Sequence, residues 1–220
     1  MDDRASWDQM YMNMCYEVAL RSPDESTKSG CYIASTDNTP ISFGYNGFPR
    51  GLENKPERQQ RPIKYQYFEH AERNAIYNAG REGKSCVGAK LYINWSPCSD
   101  CTRAIIQSGI AEVIVHSCGQ RAFKMSRNDD NFWDDDHNIF HSMLEEAGVA
   151  FRWFDGDIRT GLWGVWSGKR YTFVNGEPRE LDPDAKAIWA QLPEEDTGPS
   201  LRNMPSFDVS VIDESYSSED

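Results

Sequence analysis

Long apolar runs are missing from this 220-residue chain. No stretch approaches the roughly 18 consecutive apolar residues of a membrane-spanning helix, so no such helix is expected. The chain starts Met1-Asp2-Asp3-Arg4, with neither a basic nor an apolar leader segment, which argues against a secretory signal. Positive charge is also scarce: 23 Lys and Arg stand against 35 Asp and Glu, for a net charge of -12. Polymeric nucleic acid is held mainly by cations on phosphate, so such a partner is not expected. Six cysteines include only one close pair, Cys98 and Cys101, and a chain of this length does not need a disulfide framework. Reduced thiols and a cytoplasmic location follow as expectations. There is no internal repeat.

What is present is an ordinary globular composition, with 39% hydrophobic and 12% aromatic residues and a polar mean hydropathy of -0.70. The acid is uneven. Ten acidic residues against two basic ones in 181–220 leave about -4 for the first 180 residues. The spacing of Trp7, Met10, Met14 and Val18 predicts a helix over 6–21. Strands follow over 30–34 and 41–44 as a hairpin, then a long Gly- and Pro-rich loop over 44–62. A helix over 69–80, a strand over 89–95, a helix over 99–107 and a strand over 112–116 come next. Residues 117–136 read as polar and irregular, followed by a helix over 136–147 and a strand over 149–154. Strands alternating with single helices indicate an α/β sheet with crossover connections and helices on its faces. Beyond 155 the pattern changes to an aromatic strand-like stretch over 162–174, a turn at Asn175-Gly176, a short helix over 184–192 and an acidic tail from 193.

Chemistry concentrates in two short segments. His70-Ala71-Glu72 is followed, after 24 residues, by Pro97-Cys98-Ser99-Asp100-Cys101. This is the His-x-Glu and Pro-Cys-x-x-Cys pattern of zinc-dependent base deaminases. Cys98 and Cys101 at a strand-to-helix turn can aim two thiolates at one ion, and a helix N-terminus favours thiolate. His70 supplies a third ligand, leaving the fourth position of a zinc ion open to water, as in catalytic sites. Glu72 need not bind metal; its role would be to move protons between water, ring nitrogen and leaving amine. A structural four-cysteine site lacks a second Cys-x-x-Cys pair. Cys15 and Cys31 fit core thiols, His116 a structural position, and His137 and His141, near Asp134 to Asp136, one face of a helix.

The chain resembles the deoxycytidylate (dCMP) deaminase family of the cytidine deaminase superfamily. The likeness is carried by Ser26-Thr27-Lys28, by Gly44-Tyr45-Asn46-Gly47-Phe48-Pro49-Arg50-Gly51, by the zinc motif and by the segment 103–110, and it spans about residues 6–154. It implies a three-layer α/β/α fold with a mixed sheet of about five strands over 1–155; the C-terminal extension over 156–192, read as a β-hairpin and short helix, and the disordered tail over 193–220 are additional to the family pattern. It also implies one catalytic Zn2+ and a free nucleotide substrate, dCMP, converted to dUMP for thymidylate synthesis. Asn46 and Ala71 would touch substrate, and Lys28, Arg50 and Arg61 are candidate cations for its phosphate. The family likeness further suggests a homo-oligomer with dCTP and dTTP as effectors, accompanied by Mg2+, and a regulatory role for Gly44, Tyr45 and Gly47.

Two departures bear on the substrate. The first strand reads Gly-Cys-Tyr-Ile-Ala rather than the more usual Gly-Ala-Val-Ile, and 117–123 lacks the tyrosine found after the fourth strand in many members. Trp95-Ser96-Pro97-Cys98 also resembles polynucleotide cytidine deaminases, but those need basic grooves. The same charge argument weighs against a tRNA adenosine deaminase. A riboflavin-pathway or free-cytosine deaminase leaves Gly44 to Gly47 unexplained, and a non-catalytic zinc scaffold has no need of Glu72.

Overall fold

Alternation along three strands decides the layering. In β1 (Gly30–Ala34) Cys31 and Ile33 face one way, Tyr32 and Ala34 the other. In β3 (Lys90–Ile93) Leu91 and Ile93 oppose Tyr92, and in β4 (Glu112–His116) Val113 and Val115 oppose Ile114. Both sets are buried, so both faces of the sheet must be covered. The structure, a computed structural model, describes residues 4–127, 131–159 and 161–182, the side chains of 131–138 excepted. Strand order is β2-β1-β3-β4-β5, with β2 (Pro40–Tyr45) and β5 (Ala150–Phe154) at the edges. β1 pairs antiparallel with β2 and β3; β3–β4 and β4–β5 are parallel. The result is the expected three-layer, mixed five-stranded fold.

One face packs on α3 (Ala71–Arg81), α4 (Ser99–Gln107) and α6 (Asn131–Glu146) through Ala71, Ala75, Ala79, Ile105, Phe140 and Leu144. The approach of α3 to β2 is so close that a Cβ on Gly44 would lie 2.4 Å from the Ala71 carbonyl oxygen and from the Ala75 nitrogen. That contact explains Gly44 by packing. The other face packs on α1 (Trp7–Ala19), started by the Ser6 side chain accepting from the Gln9 amide at 3.1 Å.

Three expectations need correction. Residues 117–136 are not irregular throughout: Ser117–Met125 is a helix, α5, whose Cys118, Ala122 and Phe123 join the α1-side core, and α6 already begins at Asn131. The loop over 44–62 contains a 3-10 turn over Pro56–Arg58 and leads into a short helix, α2 (Lys64–Tyr67). The extension carries three strands rather than a hairpin: β6 (Gly164–Trp166), β7 (Lys169–Val174) and β8 (Glu177–Leu181) form an antiparallel sheet of their own. Ile158, Leu162, Trp166, Tyr171 and Phe173 share one apolar cluster with Tyr11, Met12 and Tyr16 of α1, so this sheet is built into the core. His137, Asp134 to Asp136, the expected helix over 184–192 and the tail lie outside the described residues or side chains. Among the described residues no helix is long and apolar enough to cross a membrane.

Candidate active site

Two helix N-termini meet at the motif residues. His70 is the N-cap of α3 and Cys98 the N-cap of α4, with Cys101 in the first turn of α4 and Glu72 in the first turn of α3. His70 Nδ1 lies 3.4 Å from Cys98 Sγ and 3.5 Å from Cys101 Sγ. The three ligand atoms fall within 4.8 Å of one another, the only such cluster of metal-binding side chains among the described residues. Two sulfurs and one imidazole converging at this separation fit zinc, which favours that donor set. The Cys101 thiol and the His70 ring bring Cys98 down to about 3 against the opposing effect of burial, while burial pushes Cys101 up. The pair's mutual hydrogen bonding and the His70 ring thus favour loss of a proton from Cys98, the direction that metal binding requires.

Glu72 is buried, and burial pushes its carboxyl above the ordinary range although the His70 ring pulls the other way. A carboxyl so placed exchanges its proton more readily near neutrality than a solvated one. Arg73, which the sequence reading passed over, donates to Cys101 Sγ at 3.3 Å and also pairs with Glu69. Its signal was available only as adjacency to the motif.

The motif residues open onto a cavity. Its floor holds His70, Ala71, Glu72 and Cys98; Trp95, Phe123, Phe68 and Tyr65 supply aromatic walls. Trp95 and Phe123 rings sit 4.3 Å apart, and Phe68 packs on Phe48 at 4.5 Å. Phe123 stands in the stretch that lacks the usual tyrosine, so an aromatic wall is present by another route.

The candidate substrate residues divide. Asn46, Ala71 and Arg61 line this cavity; Lys28 and Arg50 do not. The Asn46 amide is committed to the fold: Nδ2 donates to Thr27 O at 2.8 Å and Asp24 Oδ2 at 3.1 Å, and Oδ1 accepts from the Ser29 amide at 2.8 Å. Both amide hydrogens being taken, Asn46 can offer a ligand only the rest of its carbonyl. Lys28 turns its ammonium to the Ser22 carbonyl, and its backbone pairs with Val165. Arg50 bonds Asn78 Oδ1 at 2.5 Å and, with Tyr45, lines a separate groove. Gly47 bonds Glu69 through both backbone groups, which ties the glycine loop to the residue before His70. The cavity instead gains Lys64 and Arg127, which the sequence reading did not propose. Lys64 is spoken for: its ammonium lies 2.5 Å from Asp24 Oδ2, and both residues are buried. Among the described side chains, Cys15, Cys31, His116 and His141 take structural places. Cys15 and Cys31 are fully buried in the core, His116 is buried against Tyr16, and His141 stacks on Phe140 and Phe151.

Comparison with known proteins agrees with this geometry. A family profile described as "Cytidine and deoxycytidylate deaminase zinc-binding region" matches residues 5–117. Deoxycytidylate deaminases of Mus musculus and Homo sapiens are each 32% identical over 160 residues, covering 70% of this chain and 82% of the relative. The fold is similar to the crystal structure of dCMP deaminase from the cyanophage S-TIM5 in apo form, with a TM-score of 0.50 and 22% identity over 67% of this chain and 96% of that one. With the His70, Cys98 and Cys101 cluster beside a buried Glu72, these likenesses place the chain in the deoxycytidylate deaminase family of zinc-dependent nucleotide deaminases.

Proposed function

We propose that this chain hydrolyses dCMP to dUMP and ammonia. The observation that carries the reading is the buried Glu72 carboxyl at the floor of a cavity with aromatic walls, beside the three convergent ligands. His70, Cys98 and Cys101 would hold zinc, which supplies a Lewis acid that makes a water nucleophilic near neutral pH. Glu72 Oε accepts a proton from the attacking water and passes it to N3 of the ring, then takes the second proton from the hydroxyl now on C4 and delivers it to the departing amine as the C4 carbonyl forms. Water adds its oxygen to C4 and the amine leaves as ammonia, so no other reactant is needed. Trp95 and Phe123 offer flat apolar surface to the pyrimidine, which excludes competing water.

The product dUMP would feed thymidylate synthesis in the cytoplasm, in a homo-oligomer activated by dCTP and inhibited by dTTP as Mg2+ complexes. The groove lined by Phe43 and Tyr45 with Arg50, Arg81 and Lys84 supports an effector site, since it pairs aromatic rings with cations. Neither Gly44 nor Gly47 lines that groove.

The test is ammonia release from dCMP, CMP, deoxycytidine, dCTP, 5-methyl-dCMP and single-stranded DNA, with and without dCTP or dTTP. Turnover confined to deoxynucleoside monophosphates supports the reading. Turnover on DNA alone, or on none of the six with zinc bound, overturns it.

A further inference from the structure

The second sheet reaches the cavity by its β6–β7 turn. Two residues, Ser167 and Gly168, join β6 to β7, both left-handed at φ 51° and 78°, with Trp166 paired to Lys169 across them. Two-residue hairpins of this kind favour Asn-Gly or Asp-Gly, which tolerate φ above zero. The same sheet uses that solution at its other turn, Asn175-Gly176, at φ 51° and 76°. At the cavity the first position is serine, which costs roughly 1 kcal/mol or more to hold left-handed. Such strain persists where surrounding structure enforces it, and it concentrates at ligand sites.

The enforcement is visible. The Gly168 amide donates to Ser26 O at 2.7 Å and the Lys28 amide to Val165 O at 3.0 Å, so Thr27 lies between two backbone bonds to the second sheet. Ser126 Oγ, which donates to the Phe123 carbonyl at 2.7 Å, lies within hydrogen-bond distance of Ser167 Oγ at 3.1 Å, joining the turn to the end of α5, where Arg127 follows. Ser167, Thr27, Arg61 and Arg127 all line the cavity that contains Glu72. Two guanidinium groups and two hydroxyls make a donor set suited to a phosphate monoester dianion. Neither Arg127 nor Ser167 falls within residues 5–117, the region the family profile matches.

We propose that the β6–β7 turn is a wall of the nucleotide pocket, with Ser167 donating to the 5′-phosphate beside Arg61 and Arg127, so that the added sheet sets the preference for a nucleoside monophosphate over a nucleoside. The proposal rests on the nucleotide reading above and names the part of the chain that reads the phosphate. The turn is exposed, and both Asp and Asn tolerate its backbone conformation, so Ser167→Asp and Ser167→Asn leave folding intact.

The experiment is calorimetric titration of the full zinc-loaded chain with dUMP and with deoxyuridine, alongside dCMP turnover by the wild type. Ser167→Asp sets a carboxylate against the phosphate and is expected to weaken dUMP by about tenfold or more while changing deoxyuridine by less than about twofold. Ser167→Asn, neutral and able to donate, is expected to stay within about threefold of wild type for dUMP. Arg127→Gln is expected to follow Ser167→Asp in direction. If the wild type turns over dCMP and prefers dUMP but Ser167→Asp binds dUMP unchanged, or loses both ligands equally, this proposal fails and the activity reading stands. A wild type that neither turns over dCMP nor prefers dUMP overturns both.

Discussion

Arg73 Nη1 donates to the sulfur of Cys101 at 3.3 Å. A guanidinium there offsets part of the negative charge that two thiolates bring to one ion, and it fixes where Cys101 points. Outer partners of metal ligands commonly change affinity by about 10- to 100-fold. Arg73→Leu is therefore expected to release zinc to a competing chelator at about tenfold lower chelator concentration, with far-ultraviolet circular dichroism unchanged. Equal retention in both proteins would leave Arg73 as no more than the partner of Glu69.

Glu72 is placed to move protons and not to hold metal, so its removal should separate the two properties. Glu72→Gln keeps size and burial but cannot shuttle a proton. We expect zinc content at wild-type stoichiometry, with kcat reduced at least about a hundredfold. Metal analysis with single-turnover kinetics tests both. A variant that kept more than a tenth of the wild-type rate would take the proton-transfer role away from Glu72.

Asp24 gathers the loop beneath the cavity. Its Oδ1 accepts from the Ser26 and Thr27 amides at 2.8 and 3.2 Å; its Oδ2 accepts from Asn46 and the Lys64 ammonium. Breaking a buried ion pair by removing one partner costs about 3–5 kcal/mol, because the other charge stays buried. Lys64→Met should lower unfolding stability in urea by about that much and raise KM for dCMP as Thr27 and Asn46 loosen. A loss under about 1 kcal/mol would mean that solvent compensates the carboxylate.

Elements with strong local punctuation were legible in sequence. β1, α4 and β4 fall at the expected bounds because their periodicity ends at turn residues or caps, as at Gly109 after α4. The zinc cluster was legible for the same reason: both halves of its motif are local, and the fold needed only to bring two helix starts together. α5 was not legible. Ser117, Gly119 and Gln120 stand in a stretch that reads as polar and irregular, yet they are buried in the fold, and Gln120 Oε1 accepts from the Ser96 amide at 3.2 Å. Of the three candidate cations Arg61 reaches the cavity, while Lys28 and Arg50 turn elsewhere, because charge near a motif says nothing about direction; Arg127 and Ser167 line it from segments that no motif touches. Asn46 reaches the cavity, but its amide hydrogens hold the loop, a fact visible only once Asp24 and Thr27 are placed beside it.

His116 makes the fold sensitive to acid away from the metal ligands. It is fully buried at the end of β4, with Nδ1 2.6 Å from the Tyr16 hydroxyl and Nε2 3.2 Å from the Gly156 carbonyl. A carbonyl can only accept, so Nε2 carries the proton and Nδ1 accepts from Tyr16, which defines the neutral ring. Burial lowers its pKa to about 4, with nearby Arg121 acting in the same direction and the Gly156 bond opposing. In the unfolded chain the ring titrates near 6.5. Between those values the unfolded state binds a proton that the folded state does not, so stability rises with pH there. The contribution is complete above about pH 6.5 and is lost as pH falls toward about 4, a total on the order of 3 kcal/mol. Urea unfolding at pH 7.5 and pH 5 should show the wild type losing more stability than His116→Gln, even though the variant starts less stable because its bonds to Tyr16 and Gly156 are altered. Parallel losses in the two proteins would mean that the acid sensitivity comes from carboxylates elsewhere and that His116 already carries its proton when folded.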